Sequence, residues 1–158
     1  MMELMRNFEE WMTEYAVSHT HPKNVAIHKI FVPLIMFSVL GIFWCIPTPE
    51  NWKLISAYLN FATIFSFMCL IFYITLSKKY FLGMLLQCAF MLMLLEKIAQ
   101  TESLLTLSIS IFIVSWIFQF IGHKIEGKKP SFIQDLAFLL IGPLWVQKSL
   151  FKKLGLES

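Results

Sequence analysis

The chain has 158 residues, of which 58% are hydrophobic and only 15% charged, with a formal net charge of +3. A soluble domain carries about 25% charged residues, whereas here several long stretches carry none. That excludes a disordered chain, a nucleic-acid binder and an ordinary soluble globule, and predicts one all-α, membrane-embedded helical domain over residues 1–158.

Residues 3–18 open the chain with Leu4, Met5, Phe8, Trp11, Met12 and Tyr15 at spacings of three and four, and with Glu3, Arg6, Glu9, Glu10 and Glu14 between them. This is the pattern of an amphipathic helix on the membrane surface or on the end of a bundle. Pro22 suits the first turn of a new helix. A spanning helix needs about 20 mostly apolar residues. Residues 30–46, 54–76, 80–95 and 104–122 form four such runs, the third shorter than the others. The first begins too far into the chain for a signal peptide and reads as a retained span. A fifth apolar run, residues 136–146, is too short to span comfortably and contains Gly142–Pro143, which breaks a helix. It is expected to form a re-entrant or interfacial helix pair.

Lysine and arginine set the orientation. Arg6, Lys23 and Lys29 precede the first span, Lys78 and Lys79 follow the second, and Lys124, Lys128 and Lys129 follow the fourth. Lys148, Lys152 and Lys153 near the end belong to the same side. The N-terminus, the connection between spans two and three, and the region after span four are therefore expected to be cytoplasmic. The expected membrane is a bacterial inner membrane, with the endoplasmic reticulum as the alternative. Cys45, Cys69 and Cys88 lie in apolar segments without a CxxC pair and read as buried thiols, neither a disulfide framework nor a zinc site.

The polar residues that remain are organised. His19, His21 and His28 precede the first span and His123 follows the fourth, so this topology brings all four to one membrane face. Tyr15 and His19, Asn24 and His28, and Gln119 and His123 are each four residues apart, one helical turn. A carboxamide one turn before a histidine can orient the imidazole or a bound ligand. Polar groups at membrane depth are costly and mark function. Imidazoles suit Zn, Cu, Fe and Ni, and four histidines are too few for a diiron hydroxylase. The expectation is one metal ion held by His19, His28 and His123, with His21 as a fourth candidate, and open positions for a substrate and dioxygen.

Two motifs carry a family resemblance. The segment Tyr15-xxx-His19-xx-Pro22-x-Asn24-xxx-His28, followed by Pro33, and the segment Trp116-xx-Gln119-Phe120-x-Gly122-His123, followed by Glu126 and Pro130, resemble the Mpo-type 2-hydroxy fatty acid α-dioxygenases. That family is associated with phytosphingosine breakdown in eukaryotes and has many bacterial members. The resemblance implies an iron(II)-dependent membrane oxidoreductase that shortens a 2-hydroxy fatty acid by one carbon with O2. In that reading Asn24 and Gln119 orient ligands or substrate. Lys124 or Lys128 offsets the substrate carboxylate, and Tyr15 and Trp116 bind substrate. The acyl tail runs among Phe31, Phe112, Trp116 and Phe120, entering sideways from the bilayer. Two other readings stay open: a bis-histidine haem protein for electron transfer, and a non-catalytic lipid-binding scaffold whose histidines are surface features.

Overall fold

The computed structural model describes residues 6–56, 58–100, 103–130 and 137–156. Among the described residues it contains seven helices and no strand.

Helix α1 (Phe8–Val17) starts at a reciprocal cap. Asn7 accepts a hydrogen bond from the Glu10 amide at 3.0 Å, and the Glu10 carboxylate accepts one from the Asn7 amide at 2.8 Å. Trp11, Met12 and Tyr15 are buried while Glu9, Glu10 and Glu14 are exposed, as the spacing predicted. Of that expected helix, Glu3, Leu4 and Met5 lie outside the described residues. The apolar face of α1 packs edge-on against the bundle, Trp11 meeting Phe138 at 5.2 Å.

Helix α2 (Pro22–Trp44) begins at Pro22, where the missing amide is no loss. It therefore extends eight residues before the uncharged run, and that extension carries buried Asn24 and His28. It continues through Pro33. The expected second span, residues 54–76, is divided. A short α3 (Glu50–Ile55) ends before Asn60, which caps α4 (Phe61–Leu76) by accepting from the Thr63 amide at 3.1 Å. At 16 residues α4 is about 24 Å long, shorter than the hydrocarbon core. Helix α5 (Lys78–Ala99) and helix α6 (Leu104–Glu126) follow, and α6 stops at Gly127, whose φ of 72° is the left-handed cap that glycine adopts without strain. Among the described residues three helices, α2, α5 and α6, are long and apolar enough to cross a membrane.

The last apolar run departs from expectation. Leu136 lies outside the described residues, but α7 (Phe138–Lys153) is one helix that runs through Gly142–Pro143. Proline removes one amide donor and disturbs the turn before it. In that turn the buried Tyr73 hydroxyl donates to the Leu140 carbonyl at 3.1 Å, a partner from the bundle that steadies a proline-containing helix in an apolar setting.

Helices α2 and α6 form the central pair. Small residues let them approach: a Cβ on Gly41 would sit 2.1 Å from the Ser108 hydroxyl, and one on Gly122 would sit 2.3 Å from Asn24 Oδ1. The outward faces carry exposed Phe67, Met68, Leu86, Phe90, Ile113 and Phe120, the surface that lipid rather than water would cover. Cys69 and Cys88 are buried free thiols and Cys45 is half-buried.

Candidate metal centre

Helix α1 ends at Ser18, and the His19 amide bonds back to the Ala16 carbonyl. The His19 ring is thereby swung under α1, where it stacks on Tyr15 at 4.0 Å and nearly parallel. Its Nδ1 donates to the Tyr15 carbonyl at 2.6 Å. One turn into α2, His28 does the same with the Asn24 carbonyl at 3.0 Å. A carbonyl only accepts, so in both rings Nδ1 carries the proton and Nε2 presents its lone pair. His123 arrives from the last turn of α6. The three rings are 4.2 Å (His19 to His28), 5.1 Å (His19 to His123) and 4.9 Å (His28 to His123) apart, each pair close to perpendicular. One ligand atom from each lies within 4.8 Å of the other two, and all three residues are buried.

This set fits a metal ion. His19 Nε2 and His123 Nδ1 are buried without a hydrogen-bond partner, and an orphaned buried acceptor is costly unless something fills its lone pair. Burial pushes the His19 imidazole down to about 4, against the opposite pull of the Tyr15 carbonyl, so the ring is neutral near pH 7 and available as a ligand. Burial also raises the Tyr15 phenol, which stays protonated against the stack. His19, His28 and His123 are therefore not the surface features that the scaffold reading supposed.

Several sequence-predicted roles change. His21 is not in the cluster; it is the N-cap of α2, its Nδ1 accepting from the Lys23 amide at 3.2 Å. It is only two residues from His19, but the chain turns between helices there and the two rings diverge. The Asn24 carboxamide does not hold the His28 ring, because the Asn24 backbone carbonyl does so; the His123 ring is held by neither group of Gln119, its Nδ1 having no partner. Asn24 is fully buried, and its Nδ2 donates to the Ser18 carbonyl at 3.0 Å and to Glu126 Oε2 at 3.1 Å, so it ties α2 to the end of α1 and to α6. Gln119 is buried beside His123, and its Nε2 has no partner.

The cluster heads a cavity of about 360 Å³ whose wall, among the described residues, contains no lysine, arginine, aspartate or glutamate. Tyr15, Trp116, Phe112 and Gln119 line it, together with the face of α2 from His28 to Leu40 and Gly142–Pro143 of α7. The stretch of α2 is about 18 Å at 1.5 Å per residue. Phe31 and Phe120 do not line the cavity: Phe31 stacks on Phe118 at 4.3 Å and Phe120 is exposed. Neither expected lysine reaches the cavity. Lys128 Nζ donates to the Val17 carbonyl at 2.7 Å, closing the end of α1, and Lys124 is exposed. Their long stems follow the water at the end of the bundle.

Glu126 has the largest role among the residues that carried no site assignment. Its carboxylate accepts from the Thr20 amide at 2.9 Å, the Thr20 hydroxyl, the His21 amide at 2.8 Å and Asn24 Nδ2. It thus clamps the α1–α2 turn, with His19 on it, to the α6 turn that carries His123. Its presence three residues after His123 was the available signal. Trp145 of α7 was also missed; it packs 5.4 Å from both Tyr15 and His19.

Fold and site together define a helical membrane protein with a three-imidazole centre at the head of an apolar, chain-shaped cavity. The chain matches the model of the family described as 2-hydroxy-palmitic acid dioxygenase Mpo1-like over residues 5–154, and it belongs to that family. It is 32% identical over 148 residues to the 2-hydroxy-palmitic acid dioxygenase MPO1 of Saccharomyces cerevisiae, covering 89% of this chain and 78% of that protein. No solved structure matches the chain. The resemblance carried by the two histidine motifs is thus borne out.

Proposed function

We propose that this protein is an Fe(II)-dependent dioxygenase that shortens 2-hydroxy fatty acids by one carbon, an α-oxidation step. The observation that carries the reading is the meeting of His19, His28 and His123 at the head of an uncharged cavity. The yeast relative, a 2-hydroxy-palmitic acid dioxygenase, suggests the substrate class and the reaction type. Of the metals that imidazoles favour, iron is one whose redox chemistry suits a dioxygenase. Iron held by the three rings would supply a Lewis acid for the carboxylate and α-hydroxyl and a redox centre that relays the substrate's electrons to dioxygen.

The residues present do the rest. Neutral imidazoles leave the positive charge of the ion uncompensated, and a carboxylate entering a wall without lysine or arginine needs that charge. Gln119 Nε2, buried and without a partner, is placed to donate to the carboxylate or hydroxyl of the acid. Trp116 and Phe112 keep water from the head of the cavity, and the α2 face from His28 to Leu40 takes the acyl tail. In the overall reaction the C1–C2 bond breaks, C2 becomes the new carboxyl and C1 leaves as carbon dioxide. The four electrons removed reduce one O2, whose oxygens end in the new acid and in water. Substrate arrives from the bilayer. The lysine distribution supports an orientation with the histidine end in the cytoplasm.

The test is direct. The protein is purified without oxygen, loaded with Fe(II), and given 2-hydroxypalmitate and air. The expected product is the acid one carbon shorter, with one O2 consumed per acid. A fully iron-loaded sample that consumes neither acid nor oxygen would falsify the reading.

A further inference from the structure

A second opening lies at the same end of the bundle, on the far side of Trp145. It is a groove of about 720 Å³ between the start of α1, the α4–α5 junction and the last turns of α7. Phe8, Tyr80 and Trp145 supply aromatic surface. Lys79, Lys148 and Lys152 converge on it, with Ser77 and Ser149 among them. Orientation by positive charge explains lysines near this membrane face. It does not explain why ammonium groups from two elements far apart in sequence gather around one concavity.

The charge around the groove is unbalanced. Glu9 is the carboxylate in the wall, and it pairs with Lys148 at 2.9 Å. Lys79 and Lys152 are both exposed, and among the described residues neither forms an ion pair. Two like charges facing one cleft repel unless an anion sits between them. Lysine ammoniums bind phosphate as point charges, and serine hydroxyls add neutral donors. The aromatic floor is suited to interface depth, where ring and headgroup meet. The groove is separate from the histidine cavity, with Trp145 as the partition: it lines the groove and packs on Tyr15 and His19.

We propose that this groove is a phosphate-binding site, filled by the headgroup of an anionic phospholipid from the adjoining leaflet or by a free phosphate group.

Native mass spectrometry of the full-length, metal-loaded protein from nanodiscs tests it. One arm uses phosphatidylcholine discs doped with phosphatidylglycerol; the other uses pure phosphatidylcholine discs with inorganic phosphate. Wild type should retain one phosphatidylglycerol or bind one phosphate. The double variant K79Q/K152Q should bind about twenty-five-fold more weakly, because each lysine near an anionic surface contributes on the order of a factor of five. The variant K23Q/K29Q, which removes the same charge outside the groove, should bind like wild type. Retention of phosphatidylglycerol that millimolar phosphate does not displace identifies a lipid headgroup. Saturation by phosphate in pure phosphatidylcholine identifies a soluble source. Equal weakening by both double variants means diffuse surface charge only and overturns the site, as does wild type binding neither anion. Unchanged metal content and melting temperature confirm folding of the variants, and the single variants K79Q and K152Q serve if the double one does not fold. Binding is read without turnover, so the result stands apart from the dioxygenase reading.

Discussion

At the scale of single residues, the centre divides its histidines sharply. His19 and His28 each use Nδ1 on a carbonyl of the preceding turn and keep Nε2 for the cluster, whereas His21 uses its ring on the Lys23 amide. Substituting His28 by alanine should therefore abolish metal binding, taking elemental analysis from one ion per chain to a small fraction. Substituting His21 should leave the metal in place and cost about 1 kcal/mol of stability through the lost cap. Equal metal loss in both variants would contradict the geometry. Glu126 offers a subtler case, since it touches no imidazole but gathers Thr20, His21 and Asn24. Glu126→Gln puts an amide against donors and loosens the turn bearing His19. Metal affinity should fall about tenfold with unchanged stoichiometry at saturation, measurable by competition with a chromophoric chelator. These distinctions were only half legible in the sequence. A four-residue spacing pairs two positions on one helical face, but it does not say whether the earlier residue contributes its side chain or its carbonyl. So Tyr15, Asn24 and Gln119 do lie beside the histidines, but at His28 the ring is held by the Asn24 backbone carbonyl and not by its carboxamide.

At the scale of elements, hydropathy located the helices and missed how they begin. Residues 54–76 are uncharged throughout, yet Asn60 starts a helix there because its side chain satisfies the Thr63 amide. A window of mean hydropathy averages over one polar residue and so hides such a cap. Pro143 deceived in the opposite direction: the ring removes one donor, but the bundle supplies the Tyr73 hydroxyl to the turn before it and the helix continues. The α2–α6 pair was legible through its motifs, and its closeness depends on Gly122, because Asn24 Oδ1 occupies the space of a side chain there. Gly122→Ala should force these helices apart at the level of the histidines. The expected cost is about 1–3 kcal/mol, seen as a lower melting temperature, together with weaker metal binding. Gly127→Ala, at a surface cap with open space around it, strains only the backbone and should leave metal affinity unchanged. If both changes affect metal equally, close approach of the helices is not what positions the centre.

At the scale of the whole molecule, the three imidazoles come from three places: the α1–α2 turn, the second turn of α2 and the last turn of α6. Two are nearly adjacent in sequence, and the third is about a hundred residues away, joined to them by the packing of α2 on α6 and by the Glu126 clamp. An ion bridging them therefore crosslinks the end of the bundle, and it does so only in the folded state, since the unfolded chain holds no such site. Binding to the folded state alone stabilises it by about 2.7 kcal/mol when free metal is at a hundred times its dissociation constant. For a domain of this size that corresponds to roughly 5–10 °C in melting temperature. Chelation should remove this increment from the wild-type protein, and readdition of metal should restore it. In His28→Ala the same chelator should change nothing, because the bridge is already lost. The comparison separates a centre that ties α1, α2 and α6 together from histidines that merely fill space. A space-filling role predicts a destabilised His28→Ala protein and a wild type indifferent to chelation, whereas a metal bridge makes the wild type chelator-sensitive and the variant not.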